Sequence, residues 1–432
     1  MIEGTAAADP ADGSRLGPAL ELAGLGAALT FTIFLMARLP SWRHDLGAFQ
    51  GLFTLAFACY ALTVARLPRY AALPGVGWAV LAVAVATRIA LLPVPPSLSD
   101  DLYRYVWEGR VLLHGGNPWR QSPLDPALMS LRDTRIFPAV NHPELATIYP
   151  PLAEAGFALV AAISPTVWAF KLWVIGHDLA LVALLGALMR AHGRSPAWAA
   201  VYAWNPLALV EYAGSGHNDP TAMVWLAAAL LLARARPNLS ALALAAGALV
   251  KLAPLLVLPF LWRGWRWPAR LTAAATLALG LSWFVLQARG AAHSGLFAYG
   301  ATWRNNDSLF ALVAPLGARG GRIAALAALA AFVTLAMVGG ADALRGTRHA
   351  MRAGFLLSPV AHPWYQGWFL MLEPLGPSAP WLLLSATAIL SYGLFAPPSE
   401  GRDFHLPGAW RALAYGMPAL LALALAARRR KT

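Results

Sequence analysis

Charged side chains are scarce in this 432-residue chain, at 12% of the total, roughly half the share of a soluble globular domain. Apolar residues make up 59% and mean hydropathy is +0.56, so an ordinary soluble domain is excluded. Cysteine is nearly absent: Cys59 stands alone inside an apolar run, which excludes an internal disulfide framework and any cysteine-based metal site and leaves a packed thiol. The period-2 alternation of barrel strands is missing, which excludes a membrane β-barrel. The first seventeen residues carry Glu3, Asp9 and Asp12 and no basic cluster, so no cleavable leader is expected. Tandem repeats, Gly/Ser linkers and a separate soluble segment are absent as well.

Long apolar runs are what the chain does have. Segments near 18–37, 47–65, 73–92, 169–189, 196–213, 219–233, 239–261, 269–288, 323–339, 353–372, 379–396 and 409–427 approach or exceed the roughly 17–25 residues a helix needs to cross a bilayer. The expected fold is an all-α, polytopic transmembrane bundle of ten to thirteen helices. The net charge of +13 is spread as arginines over short connections and the terminal "RRRKT", which fits topology signals rather than a nucleic-acid stripe.

Arg66, Arg69, and the tail from Arg428 to Lys431 mark the cytoplasmic side. Three crossings then leave residues 93–148 outside. The chain divides into 1–92, a tail with three membrane helices; 93–148, a structured external loop; and 149–432, the rest of the bundle. The loop holds Asp100, Asp101, Glu108, Asp125, Asp133 and Glu144, six of the twenty acidic residues.

Within it, "SDDLYRYVWEGRVLLHGGNPW" (99–119) reads as a short amphipathic surface helix, with Ser99 as N-cap and Gly115-Gly116 as C-cap. Asp101, Arg104, Tyr105 and Glu108 recur at helical spacing and share one side. Trp107, Trp119 and Tyr149 suit an interfacial belt, and Pro150-Pro151 suit the start of a new helix.

Further polar islands interrupt the apolar runs. "GSGHNDP" (214–220) sets His217, Asn218 and Asp219 at a helix junction, and Lys251 sits with Pro254 and Pro259 in one apolar run. An ionisable group at membrane depth costs roughly 2.5–3.5 kcal/mol on insertion scales and commonly marks function. If 149–163 crossed the membrane, Arg190, Arg194, Arg234 and Arg236 would fall outside, against the charge rule. A non-crossing 149–163 keeps them inside and brings His217 and Asp219 to the side of Asp101. Lys171 and Asp178, seven apart on one helix side, read as a structural pair. "AHPWYQGW" has the aromatic and polar mix that stacks on sugar rings.

Taken together, "SDDLYRYVWEGRVLLHGGNPW", "TIYPPL", "WNPLALVEYAGSGHNDP", "WRNNDSLF" and "SPVAHPWYQGW" resemble the bacterial polytopic glycosyltransferases of the C superfamily (GT-C), above all the polyprenol-phosphomannose-dependent mannosyltransferases. The resemblance runs over about residues 95–375. It implies a catalytic acid in the first long external loop, hence Asp100 or Asp101; an Asp-x-x-Arg-Tyr pattern selects Asp101, and counting seven residues back from Trp107 selects Asp100. It also implies a sugar donor on a polyprenyl phosphate.

Glycosyl transfer needs a carboxylate to take the acceptor's proton and positive groups to hold the departing phosphate. Arg104, Arg110, Lys251 and Arg304 are the phosphate candidates. Glu108, Tyr149, His217, Asn218, Asp219, Asn306, Asp307, His362, Trp364 and Tyr365 are the substrate-binding candidates. No cofactor is required outright. A divalent cation, Mg or Mn, bridging Asp100 and phosphate is the one option, though no compact metal motif is visible. The expected activity is transfer of a sugar, mannose first among the candidates, to a glycan, lipid or protein acceptor outside the cytoplasmic membrane. The competing reading is a transporter or flippase for a lipid-linked sugar, which would show paired broken helices in inverted repeats; none is apparent.

Overall fold

The computed structural model describes residues 10–290, 294–395 and 408–429. Glu3, Asp9, Arg430 and Lys431 lie outside the described residues. The described chain is all-α, with one parallel bridge between Asn305 and Val360. In order come α1 (Pro10–Ala37), α2 (Leu46–Tyr70), α3 (Val76–Leu91), α4 (Asp101–Leu113), α5 (Pro151–Ile163), α6 (Val167–Ala191), α7 (Asp219–Leu232), α8 (Pro237–Val250), α9 (Trp267–Ala288), α10 (Gly317–Val338), α11 (Ala343–Leu357), α12 (Ala379–Thr387) and α13 (Gly408–Arg429). Short helical turns fill most of the connections.

Six helical segments among the described residues are long and apolar enough to cross a membrane: Arg15–Ala37, Leu46–Tyr70, Val167–Ala191, Trp267–Ala288, Phe310–Val338 and Gly408–Arg428. Six further apolar helices have 10–17 residues. Phe31, Leu279, Leu335 and Val338 point outward although apolar, as lipid-facing side chains do. This is a polytopic membrane protein.

Several expected spans are broken, and proline is the recurrent cause because it lacks the N–H a helix interior needs. Residues 196–213 form separate turns at Pro196–Ala199, Ala200–Ala203 and Pro206–Ala208, then a π-helical turn at Leu209–Gly214. Residues 353–372 are not one helix, since α11 stops at Leu357 ahead of Pro359 and Pro363. The 239–261 run ends as α8 at Val250, and Lys251 turns extended at φ −153°, ψ 134°. Helix α5, with 13 residues, is about 20 Å long, short of a hydrocarbon core of roughly 30 Å.

Two expectations about packing are corrected. Lys171 does not pair with Asp178: its Nζ donates to the carbonyls of Leu91 and Val94 at 2.8 and 2.6 Å, capping the end of α3. Asp178 instead takes the fully buried Arg88 at 2.8 Å and the Tyr202 hydroxyl at 2.7 Å. Trp107, Trp119 and Tyr149 are buried, not interfacial, and the Trp119 indole N–H donates to the Tyr149 carbonyl.

The connections sort to two ends of the bundle. Residues 71–77 share a groove with Arg190, Ser195 and Pro196, and Arg194 donates to the Leu375 carbonyl. At the other end, Arg43, Asp100, Asp101, Lys251, Arg304 and His362 meet around one cavity. Helices α7 and α8 form a hairpin that starts and finishes at that cavity, with Arg234 and Arg236 at its far tip.

Candidate active site

Helix α4 carries the acids, and it is held by burial more than by capping. Its N-terminal residue position is Asp100, which makes no side-chain cap bond; Ser99 Oγ accepts from the Asp101 N–H at 3.3 Å. Ser99 thus supplies the expected side-chain bond, from one position before the helix's N-cap residue. Its end is a Schellman arrangement, with Gly116 N–H on the Val111 carbonyl, Gly115 N–H on Leu112, and Gly115 at φ +77°. Between these ends the helix is wrapped by protein: Arg104, Tyr105, Trp107 and Glu108 are all buried. It is not a surface helix. Gly109 lets α5 press against it, since a Cβ there would lie 2.4 Å from the Phe157 carbonyl oxygen.

The Arg104 guanidinium is spoken for. It donates to Glu108 Oε1 at 2.7 Å and to the carbonyls of Asn141, His142 and Leu145 at 2.6–2.9 Å. It thus ties the 141–145 turn to α4. That turn returns Asn141 Nδ2 to Asp101 Oδ1 at 2.6 Å, fixing the carboxylate's rotamer.

The cavity has a volume of about 600 Å³, within the range of small-ligand sites. Of the residues singled out from sequence, Asp100, Asp101, Arg104, Tyr149, Lys251, Arg304, Asn306, His362, Trp364 and Tyr365 line it. Glu108, His217, Asn218, Asp219 and Asp307 stand buried outside its lining. Arg110 is elsewhere: it pairs with Asp133 and donates to the Pro165 carbonyl.

Lys251 and Arg304 on the wall each have a carboxylate behind them. Lys251 Nζ donates to Asp219 Oδ2 at 2.7 Å and lies 4.9 Å from the Tyr365 ring centre. Asp219 is fully buried, and its other oxygen accepts from Trp368 Nε1 at 2.8 Å. Arg304, with 42% of its side chain exposed, donates to Asp307, which Arg411 also holds. Asn306 Nδ2 donates to the Ala361 carbonyl and Ser391 Oγ, fixing the wall. Asn218 Oδ1 accepts from Thr221 at the start of α7.

Trp364 already stacks with protein rings. His217 lies 3.7 Å from it at 15° and His362 4.2 Å at 5°. Its edge, more than an open ring surface, is what the cavity receives. Asp100 sits at the accessible rim with protein on most sides; this partial desolvation pushes its carboxyl upward, Arg43 pulls it back, and the adjoining Asp101 adds to the rise.

Residues that the sequence reading passed over complete the site: Arg43, Asn141, Tyr299 and Tyr392. Arg43 lies in the short "PSWRHD" connection, which loop parity places on the same side as 93–148. Tyr299 and Tyr365 share a 2.7 Å hydroxyl contact. Among the described residues no three His, Cys, Asp or Glu side chains converge to hold a metal ion.

The described residues thus form an all-α membrane bundle with carboxylates and cations around one cavity. Residues 24–268 match the family model described as alpha-(1->6)-mannopyranosyltransferase, N-terminal domain, of the MptA_B family. The match covers more than half of the chain, and the chain belongs to this GT-C mannosyltransferase family. No curated protein and no solved structure matches it.

Proposed function

We propose that this membrane mannosyltransferase takes mannose from a polyprenyl phosphate and joins it through an α-(1→6) linkage to a hydroxyl of a glycan, lipid or protein acceptor. The cavity opens to the outer side of the cytoplasmic membrane in this reading, with the Arg66, Arg69, Arg190 and Arg194 end inside. The observation that supports it best is the Asp101 carboxylate, held by Asn141 on the wall of a cavity that Lys251 and Arg304 also line.

Asp101 takes the acceptor proton as the new C1–O bond forms, and the C1–O bond to the phosphate breaks with its electron pair leaving on the phosphate. Lys251 and Arg304 bind the donor phosphate, with equal hold before and during its departure. The site works without a bound cofactor in this reading; a divalent cation at Asp100 would need phosphate oxygens to complete its shell.

The test is direct. Protein in liposomes supplied with polyprenyl phosphomannose should release polyprenyl phosphate and mannosylate an acceptor, with activity retained in EDTA. Transfer from a nucleotide-linked mannose alone would remove the lipid donor. Cysteine labelling decides the side: with Cys59 replaced by Ser, Asp45→Cys should react with impermeant reagent from outside and Ala71→Cys should not. The reverse pattern would invert the orientation.

A further inference from the structure

Behind Asp101 stands a second set of polar groups that the phosphate and proton chemistry above does not use. His217 is 1% exposed, and its Nε2 points toward Asp101 Oδ2 at 3.9 Å without a hydrogen-bond partner. Its Nδ1 lies 3.1 Å from the Glu211 carbonyl oxygen and 3.2 Å from Glu211 Oε2. Glu211 is fully buried, and its Oε1 accepts from the Tyr392 hydroxyl.

Local backbone builds this alignment. The π-helical turn Leu209–Gly214 inserts a residue into the ladder, a feature common at functional sites. Gly216 then takes φ +79°, where a Cβ would collide with Leu102 on α4 at 2.3 Å. His217 is thereby delivered against the start of α4, its ring stacked on Trp364.

The tautomer follows from the acceptors. The Glu211 carbonyl oxygen can only accept, so Nδ1 bears a hydrogen and Nε2 is the ring atom turned toward Asp101. A buried Nε2 with no other partner, aimed at a carboxylate, is placed to exchange a proton with it. The geometry points to His217 as the positioning residue that accepts the proton Asp101 takes from the acceptor hydroxyl, with buried Glu211 compensating the imidazolium. This rests on the proposed role of Asp101.

The step balances. The acceptor O–H breaks as C1–O forms, and the phosphate leaves with the electrons of its bond to C1. The proton passes from the hydroxyl to Asp101 Oδ2 and on to His217 Nε2, so Asp101 ends ionised beside an imidazolium that Glu211 neutralises. The 3.9 Å gap is a bond length longer than transfer requires, and such contacts commonly tighten in the reacting complex. The other titratable groups near His217 are His362, stacked on the same Trp364, and the Lys251–Asp219 pair at the start of α7. Tyr392 stands behind Glu211.

Two measurements test it. In ¹⁵N-histidine-labelled protein, the His217 signal should report an Nδ1–H tautomer and should titrate at a different pH in Asp101→Asn and in Glu211→Gln. This readout needs no donor, so it judges the pair even if the lipid donor proves wrong. In the transfer assay, His217→Gln and Glu211→Gln should lower kcat about 10–1000-fold, a range typical of lost proton-transfer assistance. Both should move the acid limb of the pH–rate profile to lower pH and leave the donor KM within about twofold. A His217 titration indifferent to both neighbours, or rates lowered evenly at every pH with the limb unmoved, would overturn the proposal and leave His217 a packing residue.

Discussion

Lys251 Nζ lies 2.7 Å from Asp219 Oδ2, joining the residue that ends α8 to the one that begins α7. The contact closes the open end of a helical hairpin on the cavity wall, so the cation proposed to bind the donor phosphate also pairs with a buried acid. Loss of Lys251 therefore has two consequences. Lys251→Gln is expected to lower stability by about 1–3 kcal/mol, because a buried carboxylate is left underpaired, and to raise the donor KM. Adding Asp219→Asn should restore much of the stability, which thermal unfolding in detergent as a double-mutant cycle would reveal. Strictly additive losses would show that the pair is uncoupled.

Arg304 gives the cleaner test of phosphate binding, since 42% of its side chain is exposed and Asp307 keeps Arg411 when it is removed. Arg304→Gln is expected to raise the donor KM about tenfold or more with kcat nearly unchanged, as for an interaction made equally in ground and transition states. A fall in kcat at constant KM would assign it to the transition state instead.

Asp100 and Asp101 separate by environment. Asp101 is fixed by Asn141 and faces His217, whereas Asp100 sits at the rim near Arg43. Asp101→Asn should cut transfer by on the order of 10²–10⁴ in folded protein, and Asp100→Asn should be milder. Equal losses, or full activity in Asp101→Asn, would reassign the base.

Gly109 tests the seat of α4. Gly109→Val would drive a side chain into the Phe157 carbonyl, and overpacking of this kind costs about 1–3 kcal/mol. A melting temperature unchanged from wild type would show that α5 can give way.

The loop should loosen in acid. Burial raises Asp133, but the Ile136 N–H, the Arg110 guanidinium and the Arg135 N–H outweigh it and hold the carboxyl down to about 2. Because the folded value lies below the unfolded one of about 4, the stabilisation is present above pH 4 and is lost as pH falls toward 2. Hydrogen exchange around residues 133–137, corrected for its intrinsic pH dependence, should accelerate across that window. Asp133→Asn should exchange fast already at pH 4. A flat profile in the wild type would show that Asp133 does not anchor the loop.

The loop helix and its glycine end were legible in sequence because glycine acts locally, and Lys251 stood out because a charge in an apolar run does too. Which acids and bases face the cavity was less so. Arg104 and Arg110 have the same chemistry and lie six apart on one helix, yet one is tied to the 141–145 carbonyls and the other to Asp133. Nothing in their spacing distinguishes them. Lys171 was matched to Asp178 by helical register, whereas Arg88, 90 positions away, outcompetes it.

Composition and pattern alone determined that this is an all-α membrane protein with an acid-rich loop, because the cost of burying charge in lipid and the effects of proline and glycine depend on the residue itself. The pairing of Lys251 with Asp219, the burial of α4, and the line from Asp101 through His217 to Glu211 were decided only by the tertiary structure. Lys251 and Asp219 lie 32 residues apart, and Asp101 and His217 lie 116 apart; a partner is set by which helices pack together in space, a choice that no local spacing encodes.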